Sequence, residues 1–222
     1  SVLLQTNGGN YTDEATGTTM SMAQGDVMSV AIPNIAAGAT TSGIQVTPVT
    51  AMAQAIAKQM AGGMTDANIA AANTAMGSYF SVTDIVHVRP INPLLPGSGA
   101  NASQDAQNYG MTLAAMSKYA QLQGMGSSSA MVTAMMNDAA DGIMDGRAGG
   151  VPVPMGGMMG SPMMPPAAGT TGLGGAMNAF MTSTQNRSGI ATPALMNKLM
   201  GSSGHVMGGG GGMAGSSVSG TV

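Results

Sequence analysis

No cysteine occurs in the 222-residue chain. Disulfides, thiolate metal sites and cysteine nucleophiles are excluded. Tryptophan is absent too, with two phenylalanines and four tyrosines, so platforms for stacking bases or sugars are scarce. Asp, Glu, Lys and Arg make up 7% of the chain, against about 25% in an average domain. The six basic residues stand singly and form no stripe for phosphates, so nucleic acid is not an expected partner. No run of about 18 apolar residues exists, and no transmembrane helix is expected. The opening SVLLQTNGG lacks a basic start and a long apolar run, so it is no signal peptide and the chain reads as a mature one. Only His87 and His205 could act as a base at neutral pH without a large pKa shift, and the single glutamate is Glu14, in an expected turn beside Asp13. With no G-x-S-x-G elbow, and with the glycine-rich GLGGA at 172–176 following a loop rather than a strand, neither hydrolysis nor phosphate binding is expected.

What is present is small and apolar. Gly and Pro fill about a fifth of the chain, with 35 and 11 copies, yet apolar residues reach 44%, too many for a solvated coil. A surface with so little charge has little repulsion to keep copies apart, which favours self-association. Methionine, with 25 copies, stands where leucine usually would.

Residues 1–46 read as β-structure. Four short strands are expected, at SVLLQT, GTTMSM, DVMSVAIP and SGIQV (42–46), with a turn at NGGN. They are too few to close a barrel or sandwich, so the sheet has open edges. At residue 47 the period changes to helical. Thr47 and Pro48 have the look of N-cap and first helical residue, and Val49, Met52, Ala53, Ile56 and Met60 follow at helical spacing. A second helix starts at the Thr65 cap, with Ile69, Ala72, Met76 and Phe80 on one face. An irregular stretch punctuated by Pro90, Pro93 and Pro96 precedes the longest helix, whose stripe is Tyr109, Leu113, Met116 and Ala120. Another helix follows, capped by Ser127 or Ser128. The expected fold is α+β: a partial antiparallel β-module over 1–46, a helical domain over 47–149, and a Met/Pro/Gly-rich extended region over 150–222 with one short helix near 192–200.

The blocks GGNYTDEATG, VTPVTAMAQAIA, MTDANIAAAN, VTDIVHVRPINP, NYGMTLAAMSKYA and DAADGIMDG occur in order between residues 8 and 149. Together they resemble a family of uncharacterised bacterial exported proteins and lipoproteins, in which an immunoglobulin-like or carboxypeptidase-regulatory-like β-module precedes a helical region. The resemblance implies export to the cell surface or beyond, and it supplies no activity. The chain departs from the pattern in two ways: its β-module begins midway, and its Met- and Gly-rich last third has no counterpart.

Three groups of residues carry candidate chemistry. Asp138, Asp141 and Asp145 would stack on one face if helical, and carboxylates suit Ca²⁺; the alternative is a solvated helix end with turn residues. Met155, Met158, Met159, Met163 and Met164 offer soft thioethers for Cu(I); the alternative, favoured by methionine's use throughout the chain, is an apolar strap in which Pro keeps the backbone extended and Met fills what it covers. Sequons at Asn10, Asn101 and Asn186, and the Ser/Thr-rich loops, are candidate glycan acceptors. The leading functional expectation is a structural, non-catalytic exported protein whose partners are copies of itself, such as an extracellular filament. Val2, Leu3 and Leu4 of the first strand would carry assembly. So would a tail beyond Gly201 that could extend about 70 Å and anchor through Val206, Met207, Met213 and Val218. The alternative is a monomeric envelope protein that binds Ca²⁺, copper or a small ligand.

Overall fold

The computed structural model describes residues 1–156 and 160–208. The fold is α+β. Strand β1 (Val2–Asn7) pairs antiparallel with β4 (Val27–Ile32), from Val2 opposite Ile32 to Asn7 opposite Val27. Between them lies a separate hairpin, β2 (Asn10–Asp13) with β3 (Thr18–Ser21). The NGGN turn therefore makes a corner between two small sheets, with Gly8 and Gly9 at φ 66° and 102°. Residues 42–46, expected as a strand, are not one. Gly43 has φ 73°, and Gln45 donates a backbone bond to the Val86 carbonyl at 2.8 Å, inside an irregular loop that offers no ladder.

The helices begin where their caps stand. Thr47 caps α1 (Pro48–Gln59) in a reciprocal box with Thr50, Thr65 caps α2 (Asp66–Tyr79) and Ser103 caps α3 (Gln104–Leu122). The Thr47 hydroxyl also lies 2.6 Å from the Tyr109 hydroxyl, which donates to the Ile85 carbonyl at 2.9 Å. One buried polar knot thus ties α1, α3 and the irregular loop together. Helix α4 (Ser128–Ala139) departs from expectation at its start: no side chain of its own caps it. Tyr11 of β2 does so instead, its hydroxyl accepting from the Ser129 N–H at 3.2 Å.

Beyond residue 149 the chain is more ordered than its composition suggests. The two-residue strands β5 (Arg147–Ala148) and β6 (Val151–Pro152) pair with each other. A distorted π-turn over 168–172 leads into α5 (Leu173–Met181), a helix not expected from the sequence, and α6 (Pro193–Met200) follows. Helix α5 packs on α3 and α6, while α1 packs on α2, α4 and β4. Gly174 of α5 serves this packing. A Cβ on Gly174 would sit 2.6 Å from Met200 Cγ, so glycine lets α6 approach. One continuous core runs from Val30 and Ile56 through Tyr109, Met116 and Met135 to Phe180, Leu199 and Val206.

Candidate functional site

The β2–β3 hairpin folds down onto α3 and the start of α4 and roofs a cleft of about 200 Å³. Its apolar lining comes from Met22, Met28, Val46, Leu113, Met116 and Val132, and its polar lining includes Tyr11, Glu14 and Ser117. The hairpin is held by hydrogen bonds at its base. Besides Ser129, Tyr11 Oη takes a bond from Ser128 Oγ at 3.0 Å. Asp13 is buried, with Oδ1 accepting from the Thr16 backbone and hydroxyl and Oδ2 accepting from Ser117 Oγ, all at 3.0 Å. Glu14 follows in the expected turn and is half-buried. Burial pushes its carboxyl up to about 7, with Asp13 adding repulsion, while its own backbone N–H and Ser117 pull the other way. No Lys, Arg or His forms an ion pair with Glu14 among the described residues. A raised carboxyl in a mostly apolar cleft is a recognised mark of a binding site.

The aspartate group is arranged differently. Helix α4 ends at Ala139, so Asp141 and Asp145 leave the helix and the expected one-face stack does not form. Asp138 is fully buried, and its Oδ1 accepts from three consecutive backbone N–H groups, of Asp145, Gly146 and Arg147, at 3.1, 2.7 and 2.9 Å. Gly146 sits at φ 81°, and a Cβ there would lie 2.7 Å from the Met164 carbonyl oxygen. Asp141 accepts from Ile143 N and Gly149 N, and Asp145 from Arg147 N. All three carboxylates therefore bind loop backbone. Among the described residues no three His, Asp or Glu side chains converge to hold a metal ion. Asp138 Oδ2 is buried without a hydrogen-bond partner, and burial pushes the carboxyl up to about 7 against the pull of the three N–H bonds.

The methionine stretch folds back on itself. Met155 N donates to Pro162 O at 2.8 Å and Met164 N to Val153 O at 2.7 Å. Met155 and Met164 point into the core, whereas Met163 is 56% exposed; Met158 and Met159 lie outside the described residues. The expected assembly anchors divide as well. Val2, Leu3 and Leu4 are exposed, Leu3 by 49%. Val206, expected to reach into a neighbour, lies in this chain's own core here, and Met207 packs against it. The physical reason is a short backbone pairing: Ile143 bridges His205, and Val206 N donates to Gly142 O at 2.9 Å. Met213 and Val218 lie outside the described residues.

His87 is exposed and stands 2.8 Å from Asp84 Oδ2 through Nδ1. His205 is exposed, its Nδ1 3.1 Å from Ser203 Oγ. Of the sequons, Asn10 and Asn101 are exposed, whereas Asn186 Nδ2 donates to the Met181 and Ile190 carbonyls at 3.1 and 2.9 Å. A glycan on that nitrogen would break the turn between α5 and α6. Among the described residues no helix is long and apolar enough to cross a membrane.

Compared with family models, curated proteins and solved structures, the chain matches none.

The cleft is only partly legible in the sequence. Glu14 stands out as the sole glutamate, but its apolar companions come from four separate segments. The usable signal is Tyr11 and Asp13, two bulky or charged residues of a short strand in a chain poor in both.

Proposed function

We propose that this protein is a structural, non-catalytic component of an exported surface assembly built from copies of itself, joined through β1. The observation that carries the reading is the state of that strand. All six residues of β1 are exposed, while Ser29–Ile32 of its partner β4 are buried. The strand has no charge and no proline, the devices that usually blunt an edge. The strand itself is tied to the rest of the subunit by the backbone ladder to β4, with Ser1 just before it ion-paired to Asp66 at 3.0 Å, and it is hinged at two glycines with open space around them. A strand so held can leave its own β4 and pair with that of the next copy in the same register. Each chain then gives one strand and takes one, and a contact of this head-to-tail kind propagates. The low charge of the chain and its resemblance to exported proteins support the same reading.

The absence of native cysteine makes the test simple. Leu3 and Ala31 are register partners, so Leu3→Cys with Ala31→Cys places two thiols face to face. Wild-type chain at micromolar concentration is expected to give particles larger than a monomer by light scattering and negative-stain imaging. The double variant, oxidised while monomeric, stays monomeric, and reduction restores assembly. Oxidised after assembly, it gives a covalent ladder on a denaturing gel. Uniform wild-type monomers would sink the proposal.

A second reading, an envelope protein that binds a small ligand, is favoured by the cleft beside Glu14.

A further inference from the structure

We propose that the cleft beneath the β2–β3 hairpin binds a small organic ammonium ion, with its apolar body among Met22, Met28, Leu113 and Met116 and its charged head on the Glu14 carboxylate. The inference stands apart from self-assembly, since none of these residues belongs to β1.

Size sets the first limit. At about 200 Å³ the cleft exceeds the roughly 150 Å³ that holds a benzene-sized molecule. A single ring or a short alkyl chain with one polar head fits; a nucleotide or a disaccharide does not.

Chemistry sets the second. Most polar groups around the cleft are already engaged. Tyr11 Oη receives Ser128 Oγ and Ser129 N. Ser117 Oγ donates to Asp13, and Ser129 Oγ receives Ala23 N at 3.3 Å and lies 2.7 Å from Ser127 Oγ. Asp13 is turned inward onto Thr16 and Ser117. Glu14 alone is a carboxyl on the wall of the cleft, and no cation from the chain neutralises it among the described residues. An apolar wall makes an ionised carboxylate costly unless a positive charge joins it. A ligand that brings that charge removes the cost on binding; an alcohol brings only a hydrogen bond, and a carboxylate adds repulsion. Charge complementarity therefore selects the ammonium. The thioethers of Met22, Met28 and Met116 suit the remaining body, because they are polarisable and adjust their shape.

The test titrates the full chain calorimetrically with three ligands of one shape: benzylammonium, benzyl alcohol and benzoate. Benzylammonium is expected to bind at least about tenfold more tightly than benzyl alcohol, a 1.4 kcal/mol preference, with benzoate weakest. Glu14→Gln is expected to abolish that preference while benzyl alcohol still binds, which shows that the cleft has survived the substitution. Leu113→Trp, which fills the cleft, removes binding of both while the chain still melts cooperatively. Equal affinity for the amine and the alcohol, a preference that persists in Glu14→Gln, or no binding of benzylammonium would each overturn the proposal. Because the monomer carries the whole cleft, failure here leaves the assembly reading untouched, and failure of assembly leaves the cleft.

Discussion

Asp138 and Glu14 are two carboxyls that burial pushes up to about 7, yet the regions around them differ in kind. Around Asp138 the chain closes completely. Three backbone N–H groups aim at one oxygen, and no cleft opens on the other. Around Glu14 the carboxyl keeps only its own backbone N–H and a share of Ser117, whose hydroxyl also serves Asp13, and it lines a cleft. A similar perturbation thus has two meanings. The first carboxyl holds a loop in place, and its unpaired oxygen is buried out of a ligand's reach. The second contributes little to the packing around it and has its capacity unspent. Perturbation alone does not mark a site; the direction in which the group is left free does.

Asp138→Ala breaks the comparison hardest. It strands three adjacent N–H groups, each costing about 1–3 kcal/mol if no water reaches it, and it unpins the loop over 140–150 on which β5 and Val206 depend. A loss of about 4 kcal/mol is expected, or a fall in melting temperature of roughly 10 °C for a chain of this size, read by calorimetry. Glu14→Ala leaves no such groups behind and is expected to change melting by less than about 1 kcal/mol. Equal losses in the two variants would erase the distinction.

Acidity separates the pair more finely. Both carboxyls bind a proton more tightly folded than unfolded, where Asp and Glu titrate near about 4. Their contribution is fully present below pH about 4, is lost as pH rises through about 7, and is constant above that. The charged neighbours are Asp13 for Glu14 and Asp145 for Asp138, so repulsion acts in the same direction as burial. The wild-type melting temperature is therefore expected to fall between pH about 4 and about 7.5. Glu14→Gln and Asp138→Asn each flatten part of that fall. Glu14→Gln is the more stabilising at pH about 8, because its amide faces an open cleft. The amide of Asp138→Asn would instead set donors where Oδ2 now has no partner. A wild-type melting temperature independent of pH across this window is the outcome that contradicts the assignment.

How much of this is visible beforehand follows from the range of the interactions. Thr47-Pro48 and Thr65 announce α1 and α2 because a cap acts within four residues of itself. Helix α5 escapes a reading of the sequence although Leu173, Ala176, Met177 and Phe180, all buried, carry helical spacing. Two glycines in its first turn argue against a helix, and the approach of Met200 explains Gly174 alone. Strand β2 is four residues with little alternation, and its placement is fixed by contacts to α3 and α4 more than a hundred residues away. The stretch 42–46 carries strand-forming residues, but no strand edge is offered to it. The cleft is a product of these distant contacts, so its residue types are visible in the sequence and their meeting is not.

The smallest expected effect concerns calcium, and it sharpens the contrast from the other side. Asp138, Asp141 and Asp145 have the composition of a calcium loop, and a site of that kind would make the loop after α4 a second ligand-binding region. Four of their six oxygens, however, are committed: Asp138 Oδ1 to three N–H groups, both oxygens of Asp141 to Ile143 and Gly149, and one of Asp145 to Arg147. A calcium ion needs about six or more oxygens, and here it could gather them only by releasing the N–H groups that fix the loop. Selective binding to the folded state raises the melting temperature, so the comparison has a direct readout. Addition of millimolar Ca²⁺, or of a chelator, is expected to leave the melting temperature within about 1 °C, the shift that a fraction of a kcal/mol would produce. A rise of several degrees that Asp138→Asn or Asp141→Asn abolishes would mean that the loop opens to take the ion, and that both acidic regions, not Glu14 alone, have capacity to spare.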